Sequence, residues 1–253
     1  MLKTRVMPCL LLEEGRLVKT VKFKKPTYVG DPINAVKIYN EKEVDELILL
    51  DILATKENRK PPFDLIEEVA GECFMPLTYG GGIRSIEDIK RIHNLGAEKV
   101  AINSRAAETP ELVRQAADLF GSQSIVVSID VKKTLLGKYK VYSNGGSRST
   151  GIDPVTYSRQ MEDMGAGEIL LNAIDCDGSM NGYDVNLINM VAAAVNIPLI
   201  ALGGAGGIDD LVEAVTQGGA SAVAAGSLFV YQGGNRAVLI NFPIRRELET
   251  RLA

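Results

Sequence analysis

Residues 96–104 read GAEKVAINS, and residues 219–227 read GASAVAAGS. The two align without a gap at an offset of 123 residues, and each runs from a Gly-Ala turn through a short apolar stretch to a small polar pair, Asn103-Ser104 or Gly226-Ser227. Three further pairs keep nearly the same spacing. DELILLDI (45–52) matches GEILLNAI (167–174) and sets Glu46 over Glu168. YGGGIRSIEDI (79–89) resembles LGGAGGIDDLV (202–212), and VMPCLLLEEGRLVK (6–19) lies over IVVSIDVKKTLLGK (125–138). Self-similarity at half the chain length marks an internal duplication, and it speaks to architecture more than to chemistry.

Apolar, β-branched runs alternate with helical patterns along the chain. The predicted strands are 5–11, 46–52, 74–80, 99–103, 124–130, 168–174, 197–203 and 221–226. The predicted helices lie near 31–43, 61–72, 85–95, 109–119, 153–164, 184–194, 208–217 and 235–250. Several strands are apolar without strict alternation, as parallel strands covered by helices should be. Eight strand–helix units in 253 residues are the arithmetic of a (β/α)8 TIM barrel. We expect one barrel domain over 1–253, made of half-barrels of about 1–122 and 123–253.

In such barrels ligands bind at the C-terminal ends of the strands. The third strand ends in Gly80-Gly81-Gly82 and the seventh in the glycine-rich 203–207, which includes Gly204; the fourth ends in Asn103-Ser104 and the eighth in Gly226-Ser227. Glycine loops beside hydroxyls bring backbone N–H groups close to an anion, so the duplicated pattern predicts two facing phosphate sites and a doubly phosphorylated ligand. Asp130 ends strand five, Asp51 ends strand two, and Asp175 and Asp177 follow strand six. A carboxylate in this position suits general acid or base work. It also suits turn capping, and for Asp51 and Asp175 both readings stand. Lys19 sits with Lys22, Lys24 and Lys25 on a long basic segment, GRLVKTVKFKKPTYVGDP (15–32), placed as a lid, and YSNGGSRST (142–150) reads as a second mobile loop. At the opposite end, Arg5, Glu46, Lys99 and Glu168 begin strands one, two, four and six. Charges converging on a barrel floor must pair with one another, so a salt-bridge ring is expected there.

Composition removes several classes. A formal charge of −4 offers no general attraction for nucleic acid. No apolar run approaches the roughly 18 residues of a membrane span, and the N-terminal MLKTRVMPC carries no export-like apolar segment. Cys9, Cys73 and Cys176 are scattered, which fits reduced thiols in the cytoplasm rather than disulfides or a metal site. The single histidine, His93, falls between the apolar positions of its helix and reads as solvated, which removes histidine-based triads.

At this point the chain resembles the cyclase subunit of imidazole glycerol phosphate synthase over almost its whole length. The motifs that carry the likeness are RVMPCL, GRLVK, GDP, ELILLDI, YGGGI, GAEKVAIN, FGSQSIVVSID, TGIDP, GAGEILLNAIDCDGSMNGYD and GGAGG. The resemblance implies a glutaminase partner docked on the barrel floor and ammonia passing through a charged gate to a phosphorylated ligand at the mouth. No cofactor or metal is implied. The gate corresponds to Arg5, Glu46, Lys99 and Glu168; the phosphate sites to Gly82, Asn103, Gly204 and Ser227, with Ser104 where threonine is common; and Lys19, Asp51, Asp130, Asp177, Gly178 and Gln123 also match. The first strand departs. The family places aspartates at the ends of strands one and five as acid and base, and here Leu11 stands opposite Asp130 in the repeat. Asn172 replaces a usual threonine and Leu202 a usual serine. The expectation is therefore an ammonia-delivering paralogue whose cyclisation chemistry is impaired. The resemblance extends to some relatives of that kind that work beside a separate amidotransferase, and it implies the formation of amidino-sugars for surface polysaccharide or flagellar glycan. A working cyclase of histidine biosynthesis is the alternative, and the related sugar-phosphate isomerase a more distant one.

Overall fold

The computed structural model describes residues 4–252. Eight parallel strands form its centre: β1 Arg5–Glu13, β2 Leu47–Asp51, β3 Leu77–Gly80, β4 Lys99–Ile102, β5 Ile125–Lys133, β6 Glu168–Ala173, β7 Leu199–Leu202 and β8 Ala222–Ala225. Each pairs with the next in sequence, and β1 pairs with β8 from Arg5↔Ala222 to Pro8↔Ala225, which closes the sheet. The expected (β/α)8 barrel of two similar halves is the observed fold.

Outer helices follow in step: α1 Pro32–Glu41, α2 Phe63–Glu72, α3 Ile86–Asn94, α4 Glu111–Phe120, α5 Pro154–Asp163, α6 Val185–Ala192, α7 Ile208–Thr216 and α8 Arg245–Arg251. The duplication extends to their first turns. Asp31 and Asp153, each followed by proline, cap α1 and α5 by accepting the N–H of Asn34 and of Val155 and Thr156. Asp88 and Asp210 reach back to the backbone N–H groups that open α3 and α7. Each carboxylate satisfies donors that the helix leaves free and complements its positive end.

Inward and outward residues alternate along every strand and sort into two cores. Outward residues such as Val6, Leu10, Leu47, Leu49, Ile129 and Leu171 pack with the helices in the larger one. Inward residues, among them Met7, Ile48, Val126, Leu170, Ile200 and Ala224, fill the barrel in the smaller one.

The connections depart from expectation where the chain was read as loop. The basic segment is a hairpin, Arg16–Val21 with Lys24–Gly30, whose first strand pairs antiparallel with β1. Residues 142–150 belong to a second hairpin, Tyr139–Ser143 with Arg148–Ser149, which extends β5. Single-turn helices Ser104–Glu108 and Ser227–Val230 follow β4 and β8. The helix expected over 235–250 is helical only over Arg245–Arg251; its first part contributes Ala237–Val238 to a small hairpin with Tyr231–Gln232. His93 is half-buried rather than solvated, with Nδ1 2.8 Å from the carbonyl of Ala97 and its ring against Phe120.

Candidate functional site

The floor is a closed ring. Arg5 donates from one guanidinium nitrogen to Glu46 at 2.8 Å and from the other to Glu168 at 2.7 Å. Lys99 donates to the same two carboxylates at 3.0 and 3.1 Å. Thr78, a polar residue in an otherwise apolar strand, donates its hydroxyl to the remaining oxygen of Glu46 at 2.8 Å. Burial works against the charge on Arg5, and Glu168 and Glu46 outweigh it, so the guanidinium is held above its usual pKa. The ring is held by charge-assisted bonds on every side. Gln123 is exposed, in a short 3-10 turn that precedes β5, and donates to the carbonyl of Phe120 rather than to the ring.

At the other end of the barrel the inward side chains divide by chemistry. Leu11, Leu50, Ile52 and Leu202 make an apolar wall. Asp130 and Asn172 stand in register on β5 and β6, and Asn172 is also in register with Leu202 on β7. Leu11 is therefore an inward mouth residue, as Asp130 is, and it presents alkyl carbon there.

Asp130 is 8% exposed. Asn103 donates to its Oδ2 at 3.2 Å and to the carbonyl of Ser128 at 2.9 Å. Burial pushes the Asp130 carboxyl up to about 7, and the neighbouring charge of Asp177 adds to this. The Asn103 hydrogen bond and the charge of Lys56 pull the other way. Burial also raises Asp177, against the charge of Lys19, a bond from the Thr20 hydroxyl and a backbone N–H from Phe23. A carboxyl that titrates near neutrality can both give and take a proton at working pH.

The fold brings most of the remaining predicted residues to the same mouth, where the protein itself engages several of them. Asp51 borders the mouth, yet its Oδ1 accepts the N–H groups of Leu53 and Ala54 and its Oδ2 meets Arg59 at 3.4 Å, so its oxygens hold the following loop. Gly82 directs its N–H towards the Thr55 hydroxyl at 3.4 Å. Ser104 donates to Asn103 and accepts the N–H of Asn144 from the second hairpin at 2.8 Å, which brings that hairpin over the mouth. Gly178 packs against the carbonyl of Thr20. Asp175 accepts the N–H of Lys133 and belongs to a turn.

The cavity at the mouth is bordered by Gly82, Asn103, Ser104, Arg105, Lys56, Lys19, Asp130, Asn172 and Asp177. Gly204, Gly226 and Ser227 stand outside its wall. Lys19 lies against Gly226, and the backbone of Gly204 is pressed on the carbonyl of Gly182. Ser227 is buried, with a hydroxyl that has no protein partner. Lys56, Arg105, Thr78 and Arg59 escaped the sequence reading. Only Thr78 carried a visible signal, as a hydroxyl at an inward position of an apolar strand.

Among the described residues, no helix is long and apolar enough to cross a membrane, and no group of three or more His, Cys, Asp or Glu is placed to hold a metal ion.

Fold and site together define a (β/α)8 barrel with a charged, closed floor and an acid-bearing mouth. The model of a family described as histidine biosynthesis protein matches residues 5–235, and the chain belongs to that family. It is 53% identical over 249 residues to a protein of Pseudomonas aeruginosa provisionally named imidazole glycerol phosphate synthase subunit hisF2, covering 98% of this chain and 99% of that one. Similar proteins with provisional names of the same kind occur in Leptospira interrogans, 48% identical over 98% of both chains, and in Vibrio vulnificus, hisF3, 49% identical over 100% of this chain and 97% of that one.

Proposed function

We propose that the chain is the barrel subunit of a glutamine amidotransferase complex, taking ammonia from a glutaminase on its floor and passing it through the barrel to a phosphorylated ligand or an acceptor enzyme at the mouth. One contrast carries this reading: the ring of Arg5, Glu46, Lys99 and Glu168 is intact, while Leu11 occupies the mouth position that matches Asp130 in the repeat. Ammonia has to cross the ring, and the Lys99 side is the weaker one. There a single ammonium on a flexible stem holds both carboxylates at 3.0 and 3.1 Å, against 2.8 and 2.7 Å for the two nitrogens of Arg5. Above the ring the barrel interior is uncharged, lined by Met7, Ile48, Val126, Leu170 and Ala224. That lining suits neutral ammonia and disfavours ammonium, since an unpaired buried charge is costly.

Leucine neither gives nor takes a proton. Loss of one positioned acid or base typically costs about 10²–10⁴ in rate. The favoured role is therefore ammonia supply, with amidino-sugar formation by a separate amidotransferase as the consuming reaction. A second reading keeps a cyclase of histidine biosynthesis, and the neutral-range carboxyl of Asp130 with Asp177 beside it favours that reading.

The test is ammonia-dependent turnover of the phosphoribulosyl aminoimidazole-carboxamide substrate by the purified chain, at high ammonium and alkaline pH, with glutaminase binding measured in parallel. Binding to a glutaminase without turnover supports delivery. Robust turnover establishes the cyclase reading instead, and absence of both turnover and any glutaminase complex overturns both.

A further inference from the structure

We infer that the rim of the mouth is a docking face for a second enzyme, an acidic-surfaced consumer of ammonia, and that the hairpin tip at Leu135 and Leu136 is its apolar anchor. This rests on the proposed delivery of ammonia to an acceptor enzyme at the mouth.

Two hairpins meet over the cavity. The first, Arg16–Val21 with Lys24–Gly30, brings Lys19, Thr20 and Phe23 to its border, and the second brings Gly145. They touch where the ring of Phe23 packs on Gly146 and leaves no room for a Cβ there. Lys22 ties the first hairpin down by donating its N–H to the carbonyl of Asp177 at 2.9 Å.

Charge is spread unevenly over the molecule. The whole chain carries a formal charge of −4, yet residues 16–30 hold five cations and no carboxylate, and residues 132–150 again hold five cations and no carboxylate. A basic rim on an acidic protein selects an acidic partner surface, and it repels the mouth of a second copy.

The second hairpin also holds an apolar group out into solvent. Leu135 and Leu136 are both fully exposed at its tip, between Lys132 and Lys138. The tip is a formed turn: Thr134 donates its N–H to the carbonyl of Lys138 at 2.8 Å, and Gly137 to that of Thr134 at 2.9 Å. Its base is clamped to the start of α6. Asp184 accepts the Tyr139 hydroxyl at 2.8 Å and pairs with the Lys133 ammonium at 3.0 Å, while Asp175 accepts the Lys133 N–H. Two adjacent leucines fixed in this way lose little freedom on binding, which suits them to anchor an interface, with the flanking lysines set for its polar edge.

The cavity between the hairpins decides what kind of partner fits. Ammonia released there into bulk water is protonated and lost as a nucleophile. A membrane laid on the rim would close the mouth and consume nothing, whereas an enzyme seated on it seals the opening and takes the ammonia directly.

Photo-crosslinking in the living cell tests this, with Leu136→p-benzoylphenylalanine in the full chain. The captured protein should be an enzyme whose turnover is driven by ammonium alone, and by glutamine once the chain and its glutaminase are added. Leu135→Ser with Leu136→Ser, and separately Lys132→Glu with Lys138→Glu, should each raise its Kd for the chain about tenfold or more. Glutaminase binding and ammonium-driven turnover should stay as they are. No crosslink, or a crosslink only to lipid, to a second copy or to a protein that consumes no ammonia, would overturn the inference. So would variants that bind the captured enzyme as tightly as the unmodified chain. An ammonium-driven enzyme that binds through the tip of a chain to which no glutaminase binds would refute the proposed function alone and leave the docking face standing.

Discussion

Glu46, just before strand β2, and Glu168, at the start of β6, face each other across the barrel floor, and the same two cations, Arg5 and Lys99, bond both of them. The carboxylates are repeat-mates, whereas the cations are not: the positions matching Arg5 and Lys99 in the other half are Ser124 and Ala222. The ring is thus assembled from one duplicated feature and two that occur once. Because Glu46 is 3% exposed, removing a cation leaves a buried carboxylate half-compensated. Breaking a fully buried pair costs roughly 3–5 kcal/mol, and partial exposure of Lys99 reduces this to about 2–3 kcal/mol for Lys99→Met. Thermal melts should show a fall of roughly 5–10 °C. The double variant Lys99→Met with Glu46→Gln should recover part of that loss, since the partner charge leaves with it. Additive losses would mean that the ring does not couple these residues.

Asp130 makes stability fall with pH. Its folded pKa of about 7 lies above the ordinary aspartate value of 3.8, so between these values the folded chain binds more protons than the unfolded one. The penalty is absent below about pH 4, grows through the window and is complete above about pH 7. Asp130→Asn removes it. Urea melts should find the variant about 2–4 kcal/mol more stable than the unmodified chain at pH 8, with no difference near pH 4. An equal gain at both pH values would locate the effect in packing rather than in the charge.

Much of the architecture was legible in the residues. Apolar runs marked all eight barrel strands because parallel strands covered on both faces need apolar side chains. The helices expected near 31–43 and 153–164 begin where Asp31-Pro32 and Asp153-Pro154 cap them, since those side chains and the fixed φ act locally. The hairpin Arg16–Val21/Lys24–Gly30 was read as loop because Lys22, Lys24 and Lys25 hide its strand character behind solvent-facing charge. The floor ring could be read from four strand starts, since register alone brings them together. The mouth was harder. Asp51 looks like a candidate acid until its oxygens are seen to hold Leu53, Ala54 and Arg59. The duplicated glycines likewise suggest two anion sites, and the Lys19 side chain resting against Gly226 is a contact that no local pattern announces.

Leu11→Asp puts an acid back where the repeat has Asp130, into a wall of leucines. Leu11 is 9% exposed and packs with the interior cluster. Lost packing and burial of a carboxyl should together cost about 3–5 kcal/mol at pH 8. A buried acid with a raised folded pKa gives its penalty back as pH falls towards the unfolded value, so the loss should shrink by pH 5. Urea melts at the two pH values measure it. An equal loss at both would mean that the new carboxyl reaches solvent and leaves the wall.

Gly204 and Gly226 offer a sharper comparison, because the same added methyl meets different neighbours. At Gly204, with φ at +124°, a Cβ would overlap the backbone carbonyl of Gly182, and neither backbone can yield without breaking the bond from the Gly182 N–H to the Gly204 carbonyl. At Gly226, with φ at −107°, the nearest atom is the end of the flexible Lys19 side chain. Gly204→Ala should therefore cost about 1–3 kcal/mol from conformational strain, with the overlap adding to it. Gly226→Ala should leave stability within about 1 kcal/mol and displace the ammonium of Lys19, since any L-residue adopts that backbone. Denaturant midpoints separate the two costs. The carboxyl chemical shift of Asp177 reports the displacement, because the Lys19 charge is one of the influences that lower its pKa. With Lys19 moved away, Asp177 should titrate at higher pH than in the unmodified chain. An unchanged titration would mean that the ammonium keeps its place and that the methyl is accommodated by the backbone around Cys9.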